Sequence, residues 1–213
     1  FRGSAAGALT VEENPQGKTL IEGGIRWDNM SLSEIGQKFS FEKEALGTIT
    51  GRMDFRTFAG DTGSLNGKGV IGLKNGQLFN VPIFGPLSLP LGTILGKEYS
   101  HEQARDASAT FVVKDGAVFT KDLVTSTPST TFVGEGFIDL SEDEMDLTMR
   151  MNARGLLGLM TLPLAPLRGL FQFRGQGPLK QPVWRSAPFT APDEGESHPI
   201  FKDPPRAQII PER

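Results

Sequence analysis

Cysteine is absent from the 213-residue chain. Disulfides, thiolate zinc sites and cysteine nucleophiles are therefore excluded. Histidine is nearly absent. His101 lies in a polar stretch (KEYSHEQARD) and His198 in a Pro-rich C-terminal segment, with no metal-type spacing between them, so both read as solvated surface side chains. There is no G-x-S-x-G nucleophile turn and no D-x-[DN]-x-[DN]-G calcium loop. The glycine-rich runs lie inside strand-like segments, whereas a phosphate loop needs a strand on one side and a helix on the other. Acidic pairs such as Asp54 with Glu135 would serve a glycosidase only if they met across a sugar, and nothing in the sequence selects them. Lys and Arg (22) are scattered among 25 Asp and Glu for a net charge of −3, so the clustered cations that nucleic acid or an anionic membrane surface demands are missing. No catalytic residue, cofactor site or metal site emerges, and the chain reads as a non-enzyme without a cofactor.

What is present is a β-pattern. Hydrophobic residues make up 38% and charged residues 22% of the chain, a globular balance. Gly (26) and Pro (15) are abundant and fall between short alternating runs, as in turn-rich β-structure. Ile21, Gly23, Ile25 and Trp27 alternate with Glu22, Gly24, Arg26 and Asp28. Ile49, Gly51, Met53 and Phe55 alternate with Thr50, Arg52, Asp54 and Arg56. Met145, Leu147, Met149 and Met151 alternate with Asp146, Thr148, Arg150 and Asn152. Period two places each apolar set on one face of a strand, the mark of an antiparallel sheet with one wet face. Asn75-Gly76 and Asp115-Gly116 are hairpin dipeptides, because both central residues of a type I′ turn need positive φ. Ser141 to Glu144 reads as a solvated acidic hairpin loop. The expected fold is all-β with a few short helices, as a curved antiparallel sheet forming an open groove or a flattened, incomplete barrel.

Two repeats stand out. Lys74-Asn75-Gly76-Gln77-Leu78-Phe79 returns as Lys114-Asp115-Gly116-Ala117-Val118-Phe119. Paired glycines recur at Gly67/Gly69, Gly134/Gly136 and Gly175/Gly177, each pair at one strand parity. Such positions are bare on one face, which suits a bulge or sharp bend, or else close approach of another chain or an apolar ligand. Two nearly uncharged segments, 79–96 and 155–171, approach the ~20 residues that span a bilayer, but Pro82, Pro86, Pro90, Pro163 and Pro166 break them into short pieces. Their apolar residues Ile83, Phe84, Leu87, Leu89, Leu91, Ile94 and Leu95, with Leu156, Leu157, Leu159, Met160, Leu162, Leu164 and Leu167, are the candidates for apolar or lipid contact. They border the apolar face and either seal a core or meet an interface, with 79–96 expected to be the more exposed.

Ser31 followed by Glu34 is a capping-box signal for a short helix over 31–38; others are expected near 86–96 and 156–168. Residues 1–187 read as one β-domain and 188–213 as an extended tail rich in Pro and charge. The chain begins at Phe1 without Met and reads as a processed or cloned fragment.

Three stretches together resemble the C-terminal region of the AsmA-like family of bacterial envelope proteins: SLNGKGVIGLKNGQLFNVPIFGPLSLPLGTIL, ATFVVKDGAVFTKDLVTSTPSTTFVGEGFIDLSEDEMDLTMRMNA and LLGLMTLPLAPLRGLFQFRGQGPLKQPVWRS. The likeness spans roughly residues 45–186. It implies a non-catalytic β-groove in the periplasm of a Gram-negative-type bacterium, tethered to the inner membrane by an upstream segment. It also implies contact with phospholipid or another acyl lipid in transport towards the outer membrane and in outer-membrane biogenesis. Envelope proteins or the membrane surface are further partners, and nucleic acid is not. The alternative is a structural or protein-interaction module of the envelope with no lipid bound.

Overall fold

The computed structural model describes residues 2–38, 46–77, 81, 83–87, 106–126, 131–152 and 171–188. Ten strands form a single antiparallel sheet in strict sequence order: β1 (Ser4–Glu13), β2 (Thr19–Ser31), β3 (Thr48–Phe58), β4 (Asp61–Lys74), β5 (Asp106–Lys114), β6 (Ala117–Ser126), β7 (Thr131–Asp139), β8 (Glu144–Asn152), β9 (Phe171–Pro178) and β10 (Val183–Ala187). Each strand pairs with its neighbours in the chain, and β1 and β10 do not pair with each other. The sheet is therefore curved and open, not a closed barrel, as the alternating pattern predicts.

The tight turns follow local chemistry. Asp115 (φ 49°) and Gly116 (φ 82°) both take the left-handed conformation between Lys114 and Ala117, which pair directly across the β5–β6 hairpin. Between β7 and β8, the Asp139 carboxylate accepts hydrogen bonds from Ser141 N at 2.8 Å, Ser141 Oγ at 2.6 Å and Glu142 N at 3.0 Å. The 141–143 loop is exposed, as expected of a solvated acidic turn.

Asn75-Gly76 departs from expectation. Asn75 has φ 50°, but this dipeptide ends β4 and does not join a hairpin. The reason is non-local: one edge of β4 is taken by β3 and the other by β5. No free edge remains for the residues after Gly76.

The helix predicted at 31–38 is present as α1 (Leu32–Lys38). Ser31 Oγ accepts from Glu34 N at 3.4 Å, the N-cap half of a capping box. Glu34 instead accepts from Arg2 N at 2.7 Å, and this bond lowers the Glu34 carboxyl below its usual range. Of the helix expected over 86–96, a 3-10 turn appears at Gly85–Leu87. The rest of that segment, the 156–168 helix and the tail from 189 lie outside the described residues.

Register shifts occur in four ladders: β2–β3 after Trp27, β3–β4 after Arg56, β5–β6 after Ser108 and β6–β7 after Thr120. The last two share extra residues on β6. There Asp122 turns inward and accepts from Thr110 N at 2.8 Å and Thr110 Oγ1 at 2.7 Å. A side-chain carboxylate thus serves a main-chain N–H where the ladder is broken, so the bulge leaves no orphan donor there.

Candidate functional site

The register assembles the alternations of separate strands into one surface. Across β1 to β5, one row runs Leu9, Gly23, Phe55, Gly67, Val113, and the next runs Gly7, Ile25, Met53, Gly69, Phe111. Across β6 to β10, one row runs Leu123, Gly134, Met149, Phe173, Ser186, and the next runs Thr120, Gly136, Leu147, Gly175, Trp184. Paired residues in an antiparallel ladder project to the same side, so a single apolar face extends over all ten strands. The opposite face carries the charges.

Glycines lie repeatedly opposite large side chains in these rows, and the large side chains fill the gaps. Leu9 lies against Gly23, with Cδ2 2.7 Å from where a Cβ would stand. Trp27 lies against Gly51, its Cζ2 at 2.5 Å from the equivalent point. Phe111 covers Gly69, Met149 and Leu123 cover Gly134, and Trp184 covers Gly175. Filling a glycine site with a neighbour's ring or chain is a known device for holding register in curved sheets. At Gly69, Gly134 and Gly175 the bare position is filled by the chain's own Phe111, Met149, Leu123 and Trp184, and Gly134 and Gly136 pair with β6 where that ladder shifts register, as the bulge reading expects. Gly177 alone among the six has open space beside it.

One part of this face is sealed. Leu32, Leu73, Phe132, Met145, Leu147, Met149, Met151 and Phe173 pack with Phe84, Leu87 and Trp184 into the core. Val81 and residues 83–87 supply the cover there. Trp184 Nε1 donates to Ile83 O at 2.8 Å, and the Phe84 and Trp184 rings stand 6.4 Å apart.

The other part is open. On β4, Leu73 is buried, yet Ile71, two residues along on the same face, is 38% exposed. Beyond that boundary Ile25 is 40% exposed, and Leu9 and Val11 are each 61% exposed. Leu9, Val11 and Ile25 neighbour one another on β1 and β2, and adjoining exposed apolar residues, unlike isolated ones, mark contact surfaces.

The candidates from the sequence divide accordingly. Phe84 and Leu87 are buried in the core and Ile83 is half-buried. At these residues the 79–96 segment is not exposed: their side chains seal one end of the face, and the 155–170 residues it was compared with lie outside the described residues. Leu89, Leu91, Ile94, Leu95, Leu156, Leu157, Leu159, Met160, Leu162, Leu164 and Leu167 lie outside the described residues. The open residues Leu9, Val11 and Ile71 were missed as contact candidates, because apolar strand residues normally read as core.

The polar face is cross-linked by charge. Glu22 and Arg56 are direct cross-strand partners, with Arg56 Nε 3.0 Å from Glu22 Oε1. Arg150 donates to Glu135 at 2.6 Å. Arg174 reaches Asp146 with two nitrogens, at 2.8 and 2.5 Å, and this pairing raises the guanidinium pKa further. Asp54 and Glu135 share this face but stand on β3 and β7, four strands or about 19 Å apart, so they do not form a carboxylate pair. His101 and His198 lie outside the described residues. Among the described residues no group of three or more His, Asp or Glu side chains could hold a metal ion, and no helix is long and apolar enough to cross a membrane.

No family model, curated protein or solved structure matches this chain. The functional argument therefore starts from the open apolar face.

Proposed function

We propose that the chain is a non-catalytic lipid-handling segment whose open apolar surface on β1 to β4 receives an acyl chain. The observation that carries this reading is the break between buried Leu73 and exposed Ile71, beyond which Ile25, Leu9 and Val11 stay in solvent. A sheet with one apolar face must cover that face. Among the described residues, Val81 and residues 83–87 cover one part, and no segment covers the other. Each methylene buried against such a surface gains about 0.8 kcal/mol without needing a specific polar partner, which suits an acyl chain better than a polar solute. The resemblance to the AsmA-like family supports phospholipid as the ligand, a periplasmic setting with an inner-membrane tether upstream, and a role in lipid transport and outer-membrane biogenesis.

The test is mass spectrometry of organic extracts from the purified, folded chain. Phospholipid or another acyl lipid should co-purify in near-stoichiometric amount. A folded protein that yields no lipid and takes none from liposomes would remove the proposal. It would leave the second reading, a structural or protein-interaction module of the envelope, which the fully exposed outer strand β1 favours.

A further inference from the structure

Two tryptophans lie over glycines on the apolar face, and their surroundings differ. Trp184 sits on the sealed part, over Gly175, and its indole N–H donates to the Ile83 carbonyl at 2.8 Å. Trp27 sits over Gly51, at the border of the open part. Its row runs Ala5, Trp27, Gly51, Ile71, Ala109, and the row beside it runs Gly7, Ile25, Met53, Gly69, Phe111. In these rows the indole is the one side chain that carries an N–H or O–H. Its Nε1 is buried and has no hydrogen-bond partner among the described residues. An unmet buried donor is costly, and in native structures it calls for an explanation, such as a partner that is missing. Trp27 is also the last residue of β2 before its ladder with β3 shifts register. Such bulges re-aim side chains beside functional surfaces.

The missing partner is an acceptor carried on an apolar body. A free carboxylate does not fit, because no cation stands in either row to offset its desolvation. A peptide brings N–H donors of its own, and these rows offer them no side-chain oxygen. An acyl ester brings carbonyl oxygens and no donor. The surface also has the length. From Trp27 to Ile21, six residues along β2, a strand advances about 20 Å. The acyl chains of one leaflet fill ~15 Å, half of the bilayer's hydrocarbon core. Ile25, Leu9 and Val11 line that course and are exposed.

We propose that Trp27 is the positioning residue of this surface. Its Nε1 donates to an ester carbonyl of a bound diacyl phospholipid, and the attached acyl chain runs along β1 and β2 past Ile25 and Leu9 to Val11. This deepens the lipid-handling reading and rests on it. The side chains beside the indole, Ile25 and Ile71, are exposed and move aside as the carbonyl enters. Trp27 then makes on the open part the bond that Trp184 makes on the sealed part, with the lipid's carbonyl in place of that of Ile83.

Competition between two lipids tests this. The full chain, stripped of lipid, is incubated with liposomes that hold equal amounts of a diacyl phosphatidylcholine and its dialkyl ether analogue. The analogue has the same chain length and headgroup but no carbonyl. The protein is re-isolated and its extract is analysed by mass spectrometry. The parent should take up the ester about fivefold over the ether, the size of one net hydrogen bond. Trp27→Phe keeps an aromatic ring and loses the donor. It should take up both lipids equally, with a circular dichroism spectrum that matches the parent. The ratio for the parent needs no substitution, so the test holds even where the variant unfolds. A parent that takes up both lipids equally overturns the role of Trp27 and leaves lipid handling standing. So does a folded Trp27→Phe variant that keeps the ester preference. A parent that takes up neither lipid removes both readings.

Discussion

Trp184 lies flat over Gly175, its register partner on β9, so closely that a Cβ there would stand 2.6 Å from indole Cδ2 and Cζ2. Trp27 covers Gly51 on β3 in the same way. The two sites differ in one atom. Trp184 Nε1 donates to Ile83 O, whereas Trp27 Nε1 is buried without a partner.

That difference predicts unequal responses to the same change. Trp184→Phe loses a made hydrogen bond and leaves a carbonyl behind, while Trp27→Phe removes an orphan donor whose burial was already a cost. A net hydrogen bond is worth roughly 1 kcal/mol, so Trp184→Phe should be the more destabilising by about that amount. Urea denaturation of both variants gives the comparison. Equal losses would show that ring volume alone decides.

The covered glycines should not tolerate a side chain. At Gly134 a Cβ would collide with Met149 Sδ and press on Leu123 at 3.1 Å, and Gly136 has φ 140° with Asp146 O in the way. Gly63 meets nothing nearer than Asp61 Oδ1 at 3.5 Å. Gly134→Val should therefore cost about 1–3 kcal/mol as an overpacked core does, and Gly63→Ala should stay within ~0.5 kcal/mol of the parent. Thermal melts of the two variants that coincide would contradict the packing described.

A charge introduced on the apolar face separates sealed from open. Leu87 is fully buried and Leu9 is 61% exposed. Leu87→Asp buries an unpaired carboxylate at a cost of several kcal/mol and should unfold the chain. Leu9→Asp should melt close to the parent and take up less lipid from liposomes. If Leu9→Asp binds lipid as the parent does, β1 is not part of the contact surface.

The β7–β8 turn gives a pH signature. Hydrogen bonds from the Ser141 hydroxyl, then from the Glu142 and Ser141 amides, hold the Asp139 carboxyl below its ordinary value. A depressed folded-state value means that the contribution is complete above the usual aspartate range, near pH 4, and is lost as pH falls through the lowered value. Asp139→Asn should be less stable than the parent at neutral pH, and the gap should narrow under acid. Urea midpoints at pH 7 and pH 3 measure it; a gap that is constant or widens in acid would contradict this assignment.

By itself the sequence determined the local rules. The period-two runs at 21–27, 49–55 and 145–151 dictated which side chains share a face, since that follows from strand geometry alone. Asp115-Gly116 specified a turn because its residues accept positive φ, and Ser31 with Glu34 marked a helix start because a hydroxyl can accept the early N–H. Only the tertiary structure decided the rest. Asn75-Gly76 has nearly the same chemistry as Asp115-Gly116 yet makes no hairpin, because both edges of β4 are occupied by strands distant from the turn. The paired glycines were legible as bare positions, but their coverage by Phe111, Met149 and Trp184 depends on register across strands. Phe84 and Leu87 read as apolar without an address. Their place in the core comes from Trp184, about a hundred residues later, which holds their segment by a single hydrogen bond. Burial is a property of what packs on a residue, and for Leu73 and Ile71, alike in chemistry and two positions apart, it was the covering layer that made one core and the other surface.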